Sequence, residues 1–385
     1  MKAAIIVVFI FFIGLIIFML IKKQEPHSNI KKNQAKVRRQ STPQQGLAVS
    51  SLNKEQRNII ESNRESIQSG LKSIFSHTQF DFLNETLPTK RSDIRQELYI
   101  ATKNCIGDMR EFSSVYKISN MLDDPQVDLS QIAKIVSTDP ILSNKILRSA
   151  NSAYFGSGKS VDSINHALAI LGFVNIKSIL FHNVLSKKFS AEASLNPELK
   201  VIWDHSIKAA LCAVYLSDAF EGLHRGKLYT LGLMHDVGKF ILPRLVQGRT
   251  FDPKVIIPYG EKLSILREDE LYGVNHAVIS RAVLEDSGIS EQLLNVIEIH
   301  HYPLFTHKSF HLSKNEDQKY LTALYLANQI AKLFAKQDEK YLFAVQPLPP
   351  SYQGFINRLK LDNIFNDERI IADISKSGSF IEFSN

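Results

Sequence analysis

Residues 228–242, LYTLGLMHDVGKFIL, decide how the rest of the chain is read. An apolar run there carries one histidine–aspartate pair, His235-Asp236, followed by Gly238 and Lys239. Neighbours on an α-helix stand about 100° apart, so both side chains can lean toward one point. Lys239, one turn beyond His235, is placed to face a phosphate. Working outward, other ligand-type side chains fall on separate helical segments. His205 lies on the preceding helix, His276 opens a later one, and His300-His301 ends the next. Imidazoles and carboxylates gathered from several helix faces are how helical bundles build metal sites, including two-metal hydrolytic ones. Each histidine alone reads equally well as a core residue bonded to backbone. Together they leave two readings open, core and capping groups or the ligands of a divalent metal such as Mn, Fe, Mg or Ni.

The surrounding pattern is helical, with few strand signals, which makes the fold class all-α. Residues 94–121 read as one or two helices. Asp128 and Ser130 can cap a short helix through Val136, and Asp139-Pro140 can start the next at N-cap and N1. The stretch SVDSINHALAILGFVNIKSILFHNVL gives two apolar helices broken near Gly172. From Leu52 to Phe75 apolar residues recur at helical spacing, either as a stalk that pairs with a second copy or as the first helix of the body. After about residue 335 the prolines of QPLPPSYQGF interrupt the pattern, and residues 351–377 regain apolar spacing as a helical C-terminal cap.

The motifs carry a resemblance. IVSTDPILSNKILRSANSAYFG and SINHALAILGFVNIKSI are followed by WDHSIKAALCAVYLSDAF, LYTLGLMHDVGKFIL, GVNHAVISRAVLEDSGISEQLLNVIEIHHYP and LTALYLANQIAK. In that order they resemble the HDOD family, helical signalling relatives of the HD and HD-GYP metal-dependent phosphohydrolases. The likeness covers roughly residues 95–335 and implies a multi-helix bundle with an N-terminal half (94–190) and an HD-like half (199–335). It singles out Asp139, Pro140, Asn151 and Ser152 in the first half, as a recognition surface or as capping and hydrogen-bonding groups that shape the fold. In the second half it implies His205, His235, Asp236, His276, His300 and His301 as metal-ligand candidates. Two departures matter. Where the phosphohydrolases close their metal site with a later aspartate, this chain has Asn328, an amide without charge and a poorer ligand for a hard cation. The GYP signature is also absent, since His301 runs into Tyr302-Pro303-Leu304. The resemblance therefore implies a non-catalytic signal-transduction module acting through signalling proteins. The alternative is a metal-dependent phosphohydrolase for a nucleotide or cyclic nucleotide.

Composition narrows the setting. The chain has 385 residues, 46 basic and 39 acidic, for a net charge of +7. Eight of the basic residues and one acid lie within residues 1–45, so the remainder is balanced and no nucleic-acid partner is expected. Two cysteines, Cys105 and Cys212, exclude a disulfide framework and a cysteine-rich zinc module. Ala3 to Ile21 is uncharged, and at about 1.5 Å per residue a helix of that length spans roughly 28 Å, close to a bilayer's hydrocarbon core. Lys22-Lys23 follows where a signal peptide would offer small residues. A transmembrane helix over 3–21, a basic flexible linker over 22–50, and an amphipathic helix with connector over 51–93 lead into the body. The 336–385 cap completes it. The basic flank places the body in the cytoplasm on an inner or plasma membrane, with only Met1 and Lys2 before the span. A homodimer through 52–75 follows from the stalk reading.

Overall fold

A computed structural model describes residues 54–76, 87–106, parts of 115–127, 128–151, 161–193, 197–245, 264–287, 289–305, 314–334 and 345–376. All regular structure among them is helical: α1 (Lys54–Phe75), α2 (Gln96–Ile106), α3 (Leu129–Val136), α4 (Pro140–Ala150), α5 (Ile164–Ala193), α6 (Pro197–Leu216), α7 (Arg225–Met234), α8 (Leu242–Leu245), α9 (Ser264–Tyr272), α10 (His276–Leu284), α11 (Glu291–Glu298), α12 (Asn315–Leu333), α13 (Pro350–Gln353), α14 (Arg358–Asn366) and α15 (Glu368–Lys376). Among the described residues no helix is long and apolar enough to cross a membrane. The expected span at 3–21 and linker at 22–50 lie outside them, as does Ser152.

The first half is assembled by capping chemistry. Asp128 accepts the amide of Ser130 at 2.8 Å and starts α3. Asp139 Oδ1 accepts the amide of Leu142 at 3.1 Å, and Pro140 occupies N1, where its missing N–H costs no hydrogen bond. Asn151 closes the far end of α4. Its amide nitrogen donates to the carbonyls of Leu147 (2.9 Å) and Val161 (2.7 Å), while its oxygen accepts the amide of Val161 at 2.7 Å. The side chain thus replaces a strand-like backbone pair and ties α4 to the approach of α5. Asp139 and Asn151 act here as fold-shaping groups. Within α5, Gly172 adopts φ 71° and ψ 165°, a break that a residue with a β-carbon rarely tolerates.

The hub of the second half is α6, against which α7, α12, α5 and α15 pack. It is buried on nearly every side from Ile202 to Leu216, and its small residues Ala209, Ala210 and Ala213 let neighbours approach closely. A β-carbon at Gly232 of α7 would stand 2.5 Å from the α-carbon of Ala210. The α1 helix belongs to the body rather than to a stalk. Ile60, Ile67, Leu71 and Ile74 are buried, α1 packs on α12 and α15, and the apolar stripe is spent on the chain's own core. The C-terminal helices lie over α1 and α6, held by backbone bonds from Leu348 to Ile74 and from Asn357 to Ala219.

The α6–α7 contact is backbone against backbone and cannot yield locally. Gly232→Ala should therefore lower stability by about 1–3 kcal/mol, the usual cost of overpacking. Urea unfolding of the two proteins measures it; equal midpoints would refute the close approach.

Candidate metal centre

The His235-Asp236 pair does not ride on a helix as its sequence suggested. α7 ends at Met234, His235 is its C-cap, and Asp236 sits at φ −103° and ψ 8° before a tight 3-10 turn, Val237–Phe240. The turn is clamped to α10. Ser280 Oγ donates to the carbonyl of His235 and accepts the amide of Gly238, both at 2.8 Å. A β-carbon at Gly238 would lie 2.1 Å from the carbonyl oxygen of His276, so only glycine brings the turn this close. Breaking the helix here lets Asp236 project between α6, α10 and the α11 terminus.

Asp236 is buried, and its two oxygens face different neighbours. Oδ2 accepts Lys239 Nζ at 2.8 Å and lies 3.3 Å from His235 Nε2 and 4.0 Å from His205 Nε2. Oδ1 lies 3.3 Å from His276 Nε2 and 3.8 Å from His300 Nε2 and has no hydrogen-bond partner. Lys239 is therefore turned inward onto Asp236, instead of outward toward a phosphate, because a buried ammonium needs a carboxylate. The six histidine and aspartate candidates converge as two overlapping groups. Asp236, His276, His300 and His301 form one, and His205, His235 and Asp236 the other. Asn328 joins the second, its Oδ1 at 3.0 Å from His205 Nε2.

The histidines are oriented by groups behind them. His235 Nδ1 donates to the carbonyl of Gly232 at 2.8 Å, and His300 Nδ1 to that of Ile297 at 2.6 Å. His276 Nδ1 meets Glu268 Oε2 at 2.7 Å. Each bond fixes the tautomer and turns Nε2 toward the cluster, the arrangement found behind metal-ligating imidazoles. In the fully buried His235 and His300, Nε2 has no hydrogen-bond partner, nor has Asp236 Oδ1. Buried polar atoms are rarely left so. Imidazole nitrogens with one carboxylate suit a divalent transition metal, and an ion held there would lower the pKa of a bound water and polarise a phosphoryl oxygen.

Glu268 was not among the residues expected at the site. It is fully buried on α9 and also accepts the amide of His276 at 2.7 Å. Lys332, one turn after Asn328 on α12, is a second surprise: burial and the nearby charge of Lys239 push its pKa down to about 8. Burial carries the imidazoles of His205, His300 and His301 well below the usual histidine value, helped by positive neighbours. His276 is raised instead: burial lowers it most, but the Glu268 charge and the hydrogen bonds to Asp236 and Glu268 together outweigh burial. Burial alone would raise Asp236, yet His235 and Lys239 beside it hold it well below the usual carboxylate range. A cavity of about 600 Å³ opens nearby, lined by Arg91, Tyr99, Arg281, Asn295 and Glu298 among others. None of its lining residues belongs to the histidine–aspartate cluster.

An all-helical chain thus sets imidazoles and one aspartate around a common point, most of them at helix ends, where they could hold a metal ion. Comparison with known families gives this region a name: residues 112–303 match the HDOD domain. The resemblance carried by the motifs is thereby borne out. An uncharacterized protein of Treponema pallidum (strain Nichols) is 24% identical over 201 residues, 49% of this chain and 36% of that protein. The chain thus spans about a third of that relative's length. A structure named for signal transduction from Marinobacter aquaeolei VT8 superposes with a TM-score of 0.51 at 16% identity, covering 84% of this chain and 68% of that one. An HDOD domain protein of unknown function from Geobacter sulfurreducens gives 0.46 at 17% identity, covering 82% and 98%.

The buried imidazoles make stability pH-dependent in the metal-free chain. His205, His300 and His301 are neutral when folded and take up protons once unfolded. Their contribution is complete above the ordinary value of 6.5 and is lost as pH falls below it. His276 works the other way, stabilising below 6.5 and losing that contribution as pH rises through its raised value. Stability should fall on the acid side by up to roughly 4 kcal/mol per pH unit, the slope for three protons. Urea midpoints measured between pH 5.5 and 8.5 check this, and a flat acid limb would contradict it.

Proposed function

We propose that this chain is a membrane-anchored HDOD signal-transduction module that acts through protein partners and does not turn over a phosphoester. The observation that carries the reading is the burial of the centre: His235 and His300 are 0% exposed, His276 1% and Asp236 2%. A hydrolytic metal must keep a position open to substrate and water. Here His301 alone among the ligand candidates is half-buried, the others are buried, and Asp236 is already neutralised on one side by Lys239. Such a centre braces the packing of the helices around it, and the faces those helices turn outward are where a partner would read that arrangement. The charge balance beyond residue 45 favours protein over nucleic acid as that partner. The uncharged 3–21 segment with its basic flank supports a single-pass anchor with the body in the cytoplasm.

The retained ligand set favours one competing reading, a metal-dependent phosphohydrolase. The purified full-length chain, supplied with Mn, Fe, Mg or Ni, should hydrolyse neither a cyclic dinucleotide nor a nucleotide phosphodiester. Hydrolysis lost in a folded His235→Ala variant would overturn the reading. In cells the chain should fractionate with membranes, and Ile13→Arg with Ile16→Arg should release it, since each charge near mid-bilayer costs roughly 2.5–3.5 kcal/mol on insertion. Retention of that double variant in the membrane would refute the anchor.

A further inference from the structure

We infer that the centre takes a single divalent transition-metal ion, on Asp236 Oδ1 and the Nε2 atoms of His276, His300 and His301, and that the side around His205 takes none. The two oxygens of Asp236 face different surroundings. On the Oδ1 side four ligand atoms lie within 4.8 Å of one another. The oxygen itself has no hydrogen-bond partner, His300 Nε2 likewise, and the bond of 3.0 Å between His276 Nε2 and His301 Nε2 joins two imidazoles that an ion would take together. With Glu268 behind His276 and the Ile297 carbonyl behind His300, two of the three imidazoles are already aimed. Three nitrogens and one carboxylate oxygen make a donor set that a first-row transition metal prefers and that magnesium, which seeks oxygen, does not.

The Oδ2 side is used up. Lys239 Nζ donates to Oδ2 at 2.8 Å, so an ammonium already stands at that oxygen. His205 Nε2 is engaged by the Asn328 amide at 3.0 Å. Whichever way that amide is turned, it occupies the nitrogen: its oxygen accepts the ring N–H, or its NH₂ donates to the ring lone pair. Only His235 Nε2 is left, and one imidazole does not hold an ion. Charge points the same way. One divalent ion with Lys239 brings three positive charges against the two of Asp236 and Glu268. A second ion would add two more at short range in a buried setting, with the neutral Asn328 offering no compensation.

The inference rests on the geometry of the centre and not on the absence of turnover. One ion with hydrolysis would sink the functional reading alone, and two ions without hydrolysis would sink this inference alone. The test is titration of the metal-stripped, full-length chain with Co(II), whose visible d–d bands count and report the bound ion. One equivalent should bind per chain. It should persist in His205→Ala and be lost in His276→Ala and His300→Ala. Glu268→Gln should weaken it about 10–100-fold, the usual effect of losing the group behind a metal-ligating histidine. His301→Gln, at the half-buried ligand, serves if the buried variants fail to fold by circular dichroism, and it too should lose the ion. Two equivalents in the unaltered chain, none at all, or a single equivalent lost in His205→Ala but kept in His301→Gln would each overturn the inference.

Discussion

A carboxylate with 2% exposure is costly unless every neighbour is arranged to receive its charge, and the second half of this chain is arranged around that requirement at Asp236. Lys239 reaches it because the 3-10 turn curls back by three residues. His205 faces it from the hub helix α6, and His276 and His300 stand at the ends of α10 and α11. Those side chains can meet only if α7 stops at Met234 and the turn presses against α10, which Gly238 and the Ser280 hydroxyl bring about. The close α6–α7 crossing at Ala210 and Gly232 sets the distance from which His205 and His235 approach. Fold and site are in this sense one construction, with the packing of small residues fixing where the polar ones converge.

Much of this was legible in the sequence. Helical period, the Asp128 and Asp139 caps and the break at Gly172 are local properties, and they appear where local chemistry puts them. The identities of the clustered histidines were legible because imidazoles spaced along apolar helices stand out against their surroundings. What escaped depends on packing between distant segments. Glu268 sits in LREDE, a run of charges that reads as a solvated face, and only the approach of α10 turns this one acid inward. Lys332 near the end of α12 looks like an ordinary dipole-matching lysine until α12 is buried against its neighbours. His235-Asp236 reads as helix because no proline interrupts the apolar run from Leu228 to Leu242. The departure from helix is imposed by the carbonyl of His276, more than thirty residues away in sequence.

The asymmetry of Asp236 links this architecture to function. In a hydrolytic centre of two ions a bridging carboxylate would keep both oxygens for metal. Here one oxygen is closed by an internal ammonium, and the histidine beyond it is taken by an amide. Replacing a charged ligand by Asn328 therefore does more than remove one donor, since it also recruits His205 into a hydrogen bond. On the proposed reading this cluster serves as a buried brace between helices and not as a site that admits a phosphoester. Asp139 and Asn151 serve the first half in the same spirit, as internal polar groups whose bonds set how α3, α4 and α5 join.

The central claim is that the imidazoles are pre-aimed, with Nδ1 bonded outward and Nε2 bare toward Asp236. Long-range ¹H–¹⁵N correlation spectra of the metal-free, ¹⁵N-histidine-labelled chain at neutral pH read the tautomer of each ring directly. His235 and His300 should both carry their proton on Nδ1, with Nε2 at the shift of a bare nitrogen. A proton on Nε2 of either ring, or averaging between the two tautomers, would contradict the account.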